Sequence, residues 1–138
     1  AGKISEEYAG LINLKRFEEF LQTDLGKRMG SAYKKGLLFR EQPFIMELGA
    51  DMIDKEYPSD EKILVQGIVD AFFFEDDKVY IVDYKTDRVE QGKAGEKALV
   101  ERYHKQLELY ADTISRVTGK ETGGCYIYST CLKKEILI

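Results

Sequence analysis

Hydrophobic residues change their spacing along the chain, and each change predicts a different element. Over residues 5–33 apolar side chains recur every three or four positions, which is the period of a helix. Residues 63–75 and 79–85 alternate apolar and polar positions, and the short polar turn between them predicts a β-hairpin. A helical stripe returns over residues 96–118, and Gly119 predicts its end.

Weaker patterns predict the remaining strands and loops. Residues 37–48 are aromatic and aliphatic but contain Pro43, which favours an edge strand or a bulge. Residues 49–62 are acidic and predict an exposed connection, whereas 124–129 and 134–138 predict two further strands. The predicted order is helices, then a three-strand meander, then a helix that crosses over to another strand. This order predicts an α/β domain with a mixed sheet.

The predicted hairpin carries charged side chains at the edge of an apolar core. Counting faces on the first strand places Asp70 between Ile68 and Phe72 on one face. On the second strand the same count places Asp83 and Lys85 side by side. Burying charge is costly unless the charge is paired or used, so this edge is the first candidate for chemistry.

The pattern Asp-x12-Asp-x-Lys is suited to metal-dependent hydrolysis of phosphodiester bonds. Asp70 and Asp83 lie on adjacent predicted strands, and two converging carboxylates suit a hard cation such as Mg²⁺ or Mn²⁺. The backbone carbonyl of Tyr84 offers a neutral ligand beside them. Lys85 can orient or deprotonate the attacking water and offset charge in the transition state.

Composition narrows the class of protein. The chain has 138 residues and is 43% hydrophobic, which predicts one domain over residues 1–138. Its net charge of −4 disfavours nucleic-acid binding through bulk charge, so any such contact is local or metal-mediated. Cys125 and Cys131 are too few for a disulfide framework and predict reduced thiols. With no signal sequence and no apolar run that spans a bilayer, we expect a cytoplasmic protein without a membrane partner.

Four segments in order resemble the successive motifs of the RecB-like branch of the PD-(D/E)xK nucleases, and of nuclease domains of bacterial AddAB-type complexes in particular. They are Arg40-Glu41-Gln42-Pro43-Phe44, Gln66-Gly67-Ile68-Val69-Asp70, Asp83-Tyr84-Lys85-Thr86-Asp87 and Gln106-Leu107-Glu108-Leu109-Tyr110. The resemblance implies a restriction-endonuclease-like core with a mixed central sheet flanked by helices. The missing initiator methionine and the apolar C-terminus lead us to expect a piece of a larger polypeptide. The resemblance implies that this piece is a C-terminal fragment of a helicase–nuclease.

The resemblance also implies a role for each matched residue. Asp70, Asp83 and the Tyr84 carbonyl correspond to the metal ligands, and Lys85 corresponds to the catalytic lysine. Four further positions correspond to groups that support the site or position DNA: Glu41, Thr86, Gln106 and Tyr110. The last two are four residues apart, so we expect them to lie next to each other on the predicted helix over residues 96–118.

At the level of function, the resemblance implies a deoxyribonuclease of recombinational repair that uses Mg²⁺, with Mn²⁺ as a substitute. Its partners would be single-stranded DNA, a helicase portion of the same polypeptide and an AddB-like second subunit. The chain departs from the family in having no histidine before His104, where an upstream helix commonly supplies a metal ligand. Either that histidine lies in sequence upstream of this chain, which we favour, or the metal site is incomplete. Two alternative functions stay open: a catalytically incomplete module that binds DNA or a partner protein, and a stand-alone endonuclease. The N-terminal region offers only Glu6, Glu7, Glu18 and Glu19 as substitutes for that histidine.

Overall fold

Among the described residues, the fold is a five-stranded mixed sheet with helices packed on both faces. The computed structural model describes residues 18–52 and 54–138. The helices are α1, Asp24–Lys34, and α2, Lys93–Thr118. A 3₁₀ turn, Ala50–Met52, follows the first strand. The strands are β1, Leu38–Gly49; β2, Lys62–Glu75; β3, Lys78–Lys85; β4, Glu121–Ser129; and β5, Lys134–Leu137.

The strands lie in the sheet in sequence order, and this topology confirms the predicted α/β fold with a mixed sheet. β1, β2 and β3 form an antiparallel meander, as the hairpin pattern predicted. β3 and β4 are parallel because α2 crosses over between them, and β5 returns antiparallel to β4. The predicted stop of α2 is confirmed, since Gly119 adopts the left-handed conformation with φ of 71°.

The predicted N-terminal helices fall partly within the described residues. Residues 18–21 are helical, and α1 begins after Thr23, whose Oγ1 accepts a hydrogen bond from Gly26 N at 3.0 Å. The part of the prediction over residues 5–17 lies outside the described residues. Arg28 anchors α1 to the sheet because its guanidinium pairs with Glu75 at 2.9 Å and lies over the ring of Tyr80.

Two apolar cores lie on opposite faces of the sheet. The core beneath α2 contains these buried side chains: Val69, Phe72, Val79, Ile81, Leu99, Leu107, Tyr110, Ile114, Cys125, Ile127 and Ile136. The core beneath α1 contains a second set: Phe20, Leu25, Met29, Ala32, Ala71, Phe73, Val82 and Tyr128. Side chains of β3 alternate between these cores, as predicted.

On β2 the predicted face count is wrong at Asp70. Val69 and Phe72 lie in the same core, which regular alternation does not allow for residues three apart. Ile68 is 58% exposed and Phe72 is 7% exposed, so they do not flank Asp70 on one face. The change in faces coincides with Glu41 on β1, which has φ of 50° and whose pairing opposite Asp70 is interrupted. The pairs on either side of Glu41 keep one register, so no extra residue is inserted there and the predicted bulge is absent from β1. The other alternative predicted from Pro43, an edge strand, is confirmed, because β1 is the outermost strand of the sheet.

Two smaller expectations can be compared with the structure. Cys125 and Cys131 are both free, as their number and spacing predicted. In the part of the chain that the structure describes, neither α1 nor α2 has the length and apolar character of a membrane span.

Candidate active site

Asp70 marks the point where β2 and β3 separate. Their backbone pairing ends at Ala71 and Val82, and beyond it Tyr84 N donates a hydrogen bond to Asp70 Oδ2 at 2.9 Å. The Asp70 carboxylate thus takes the place of a backbone carbonyl as the acceptor for the Tyr84 N–H. Because the N–H and C=O of one strand residue point to the same side, the carbonyl of Tyr84 also faces this gap. The end of the β2–β3 pairing therefore brings together two of the groups predicted as metal ligands, the Asp70 carboxylate and the Tyr84 carbonyl.

Asp83 is the buried charge of the site, with only 4% of its surface exposed. Lys85 Nζ lies 2.7 Å from Asp83 Oδ2, as the face count on β3 predicted. Its approach does not have hydrogen-bond geometry, so among the described residues this oxygen has an ion-pair partner but no hydrogen-bond donor. Burial and the neighbouring Asp70 carboxyl raise the pKa of Asp83 to about 6 despite the opposing effect of Lys85.

Lys85 is held from three sides. Besides Asp83, its Nζ donates to Gln106 Oε1 at 3.2 Å and lies 4.0 Å from the centroid of the Tyr103 ring. Gln106 Nε2 in turn donates to the hydroxyl of Tyr110 at 3.0 Å, so the predicted helical pair does reach the site. Partial burial works against the charge of Lys85, but the close contact with Asp83 and the negative charges of the two carboxylates together outweigh it, and the pKa of Lys85 is raised.

Tyr103 is the site residue that sequence analysis missed. Its hydroxyl donates to Asp87 Oδ2 at 2.7 Å, and Arg102 pairs with the same oxygen. Asp87 thus fixes the ring that lies under the Lys85 ammonium. The helical stripe of α2 marks Tyr103 as an apolar core position, and only its place one turn before Gln106 indicates a contact with Lys85.

The other predicted residues lie less centrally. Glu41 shares a cleft with Asp70, and Thr86 is exposed just after β3. Among the described residues neither side chain forms a hydrogen bond or an ion pair. His104 Nδ1 lies 3.2 Å from the carbonyl oxygen of Val100, the backbone contact that we expect for a histidine on this helix face.

The donor set fits a divalent cation. Asp70, Asp83 and the Tyr84 carbonyl are all oxygen donors, the ligands that Mg²⁺ and Mn²⁺ prefer. A cation there would reduce the repulsion between the two carboxylates. It would also bind the buried Asp83 Oδ2, which has no hydrogen-bond donor among the described residues. Within residues 18–52 and 54–138, no third His, Cys, Asp or Glu completes a cluster around them. Of the possible substitutes for the histidine, Glu19 pairs with Lys133, while Glu6 and Glu7 lie outside the described residues.

Comparison with known proteins gives one family. The profile of the PD-(D/E)XK nuclease superfamily matches residues 8–135. The chain is 39% identical, over 98% of its length, to an ATP-dependent helicase/nuclease subunit of Clostridium perfringens strain SM101. Identity is 40% over 98% of the chain for the protein of the same name in Clostridium botulinum strain Alaska E43, and 32% over 99% for that of Lachnoclostridium phytofermentans. The chain spans only 11% to 12% of the length of these relatives.

Proposed function

The chain belongs to the PD-(D/E)XK nuclease superfamily, and from this membership and the site geometry we propose that it is a metal-dependent deoxyribonuclease domain. The observation that carries the proposal is the placement of Lys85. Its ammonium is fixed against Asp83 at 2.7 Å, and Asp70 lies beside Asp83 where β2 and β3 separate. A structural ion pair does not need a second carboxylate next to it, since that carboxylate adds repulsion without stabilising the fold.

We assign the metal to the carboxylates of Asp70 and Asp83 and the carbonyl of Tyr84. We expect Mg²⁺, with Mn²⁺ as a substitute, because all three donors are hard oxygens. When bound, such an ion polarises a phosphate oxygen and stabilises negative charge on it. The Tyr84 N–H holds the Asp70 carboxylate in place. One of the two carboxylate ligands is thus oriented by the backbone of β3, and the other, Asp83, is itself a residue of β3.

Lys85 acts as a cation in this proposal. Without metal, its raised pKa keeps the side chain charged at neutral pH, and an ammonium is suited to orient the attacking water and to stabilise negative charge on the phosphoryl oxygens. A base that removes a proton from water would need a neutral amine. Gln106 and Tyr103 hold Nζ in position, so little side-chain freedom is lost when the substrate arrives.

The relatives suggest the setting of this activity. Their name is that of a helicase/nuclease, and they are about nine times longer than this chain. We therefore propose that residues 1–138 form one nuclease domain of a helicase–nuclease that acts in recombinational repair. Its partners would be single-stranded DNA, the helicase portion of the same polypeptide and an AddB-like second subunit.

The proposal is tested by cleavage of end-labelled single-stranded DNA in Mg²⁺, Mn²⁺ or EDTA. We expect cleavage only with metal, and a loss of roughly 10²-fold or more in Asp70→Asn and Asp83→Asn. The matched control is Asp112→Asn, an exposed aspartate of α2 that pairs with Arg116 away from the site. Cleavage that persists in EDTA, or that survives both substitutions, would overturn the proposal.

One observation favours a second candidate, a nuclease-like module that binds DNA or a partner protein without cutting. It is the lack of a third His, Cys, Asp or Glu ligand among the described residues. This module would bind single-stranded DNA but show no cleavage in either metal. Melting in increasing Mg²⁺ separates the two, because an ion that binds only the folded chain raises the melting temperature.

A further inference from the structure

A groove runs along α1 on the face of the sheet opposite Lys85. It consists of two adjoining cavities that share Phe20, Leu38, Arg40 and Tyr84 as lining residues. The larger, of about 920 Å³, reaches Asp70, and the smaller, of about 370 Å³, extends to Tyr33 near the end of α1. One end of the groove is therefore the candidate active site itself.

The groove presents aromatic rings to solvent. Tyr33 is 65% exposed and Tyr84 is 37% exposed, so both leave ring surface free. Tyr84 is fixed from below by edge-to-face packing on Phe20, with ring centroids 5.6 Å apart, and Phe20 packs in turn on Tyr128 at 4.8 Å. Rigid rings of this kind bind flat ligands at a small entropic cost.

Within residues 18–52 and 54–138, the cations around the groove form no ion pairs. Arg40 lines both cavities, and Lys27 and Lys34 lie one turn before and after Gly30 of the groove wall. Among the described residues, none of these three cations forms an ion pair with an acidic group. The acidic groups lining the larger cavity, Glu41 and Asp70, lie at its active-site end, and the smaller cavity has no acidic lining residue among those described.

We propose that this groove is a track for single-stranded nucleic acid, with bases stacked on Tyr33 and Tyr84 and phosphates near Arg40 and Lys34. The track leads the strand to Asp70. Exposed rings combined with unpaired cations match the chemistry of single-strand binding, because only unpaired bases can stack on protein aromatics. With a net charge of −4 the chain lacks a general attraction for nucleic acid, so binding depends on these local cations.

This inference rests on the proposed function and is tested without metal, so that binding and cleavage are separated. Fluorescence anisotropy in EDTA compares a labelled oligothymidine with a duplex of the same length. We expect Tyr33→Ala and Arg40→Ala each to weaken binding of the single strand by roughly five- to fifty-fold. Arg40→Ala should also reduce the slope of log affinity against log salt by about 0.7, the value for one phosphate contact on a single strand.

The chain offers a matched control for each variant. Tyr57 is another exposed tyrosine, in the connection between β1 and β2, and Arg116 is another exposed arginine, on α2. Tyr57→Ala and Arg116→Ala should bind as the parent does. All four positions are at the surface, and melting curves verify that each variant is folded before its affinity is compared.

The outcomes distinguish the track from the nuclease activity. Parental affinity in both Tyr33→Ala and Arg40→Ala would overturn the track, and so would equal binding of duplex and single strand or no binding at all. If Asp83→Asn still abolished cleavage in those cases, the nuclease proposal would stand. Binding that depends on Tyr33 and Arg40 without cleavage in any metal would support the track and contradict the nuclease proposal.

Discussion

The cation of the candidate active site and those beside the groove differ in their partners. On the α2 face Lys85 contacts Asp83, Gln106 and Tyr103, and Tyr103 is itself held by Asp87. On the α1 face the cations beside the groove have no acidic partner among the described residues. A group that acts on one bond must be fixed in one geometry, whereas groups that hold a variable strand gain from remaining solvated.

Three consecutive residues of β3 contribute side chains to both faces of the sheet. Asp83 and Lys85 point to α2, while the Tyr84 ring packs on Phe20 on the α1 side. The backbone N–H of Tyr84 meanwhile holds Asp70 in the plane of the sheet. Strand alternation alone therefore separates the proposed reactive face from the proposed binding face, with Asp70 between them. The comparison predicts that substitutions on the α2 face change the rate of cleavage and that those on the α1 face change affinity.

The largest expected effect comes from Lys85→Ala. Removing the ammonium should lower the cleavage rate by roughly 10²- to 10⁴-fold, because the variant loses its charged group at the reacting phosphate. Affinity for single-stranded DNA in EDTA should remain within about two-fold, since Lys85 lies on the face opposite the groove. Single-turnover cleavage and anisotropy measure the two quantities. Lys120→Ala, which removes a lysine paired with Asp77 at the β2–β3 turn, serves as the control.

If Lys85→Ala cut DNA at the parental rate, the assigned mechanism would be wrong. If it lost affinity as strongly as Arg40→Ala, the separation of the two faces would be wrong instead.

The next effect concerns stability and its dependence on pH. The pKa of Asp83 in the folded chain, about 6, lies above its usual 3.8, so the folded state binds this proton more tightly than the unfolded state. The protonated Asp83 therefore stabilises the folded state fully below pH 3.8, and this stabilisation is lost as pH rises through about 6. Asp83→Asn removes the titrating group, and without metal it should be more stable than the parent at pH 8 by on the order of 1 kcal/mol.

Melting temperatures in EDTA at pH 4.5 and pH 8 measure this effect, and the difference between variant and parent should be larger at pH 8. The loss of the Lys85 ion pair works in the opposite direction, but Lys85 keeps its contact with Gln106. A variant that is less stable than the parent at pH 8 would show that the pair with Lys85 outweighs the cost of burying the Asp83 charge.

Local periodicity predicted the parts of this site that depend on one element. The alternation along β3 placed Asp83 beside Lys85, and the four-residue spacing on α2 placed Gln106 next to Tyr110, as the structure confirms. The position of Asp70 was not predictable in this way. It depends on the interruption of β1 at Glu41, a residue far away in sequence, and a face count along β2 contains no information about its partner strand.

Dependence on residues distant in sequence also explains why Tyr103 and the groove were not predicted. Tyr103 belongs to the apolar stripe of α2, but its role follows from Asp87 on a loop whose path no short pattern predicts. The groove requires the packing of Phe20 and α1 against Tyr84, contacts between the N-terminal region and the centre of the sheet. Sequence periodicity gives the elements and their faces, whereas contacts between distant elements appear only once the tertiary structure is known.

The smallest effect that we predict is that of Tyr103, and it tests how tightly the α2 face must be held. Tyr103→Leu removes the ring under Lys85 Nζ and should lower kcat by roughly three- to thirty-fold with little change in KM. Tyr103→Phe keeps the ring and loses only the hydrogen bond to Asp87, so it should recover most of that rate. In a Lys85→Ala background the leucine substitution should have no further effect, because the ring then has no ammonium to position. An equal loss in both backgrounds would show that Tyr103 contributes to the packing of α2 independently of Lys85.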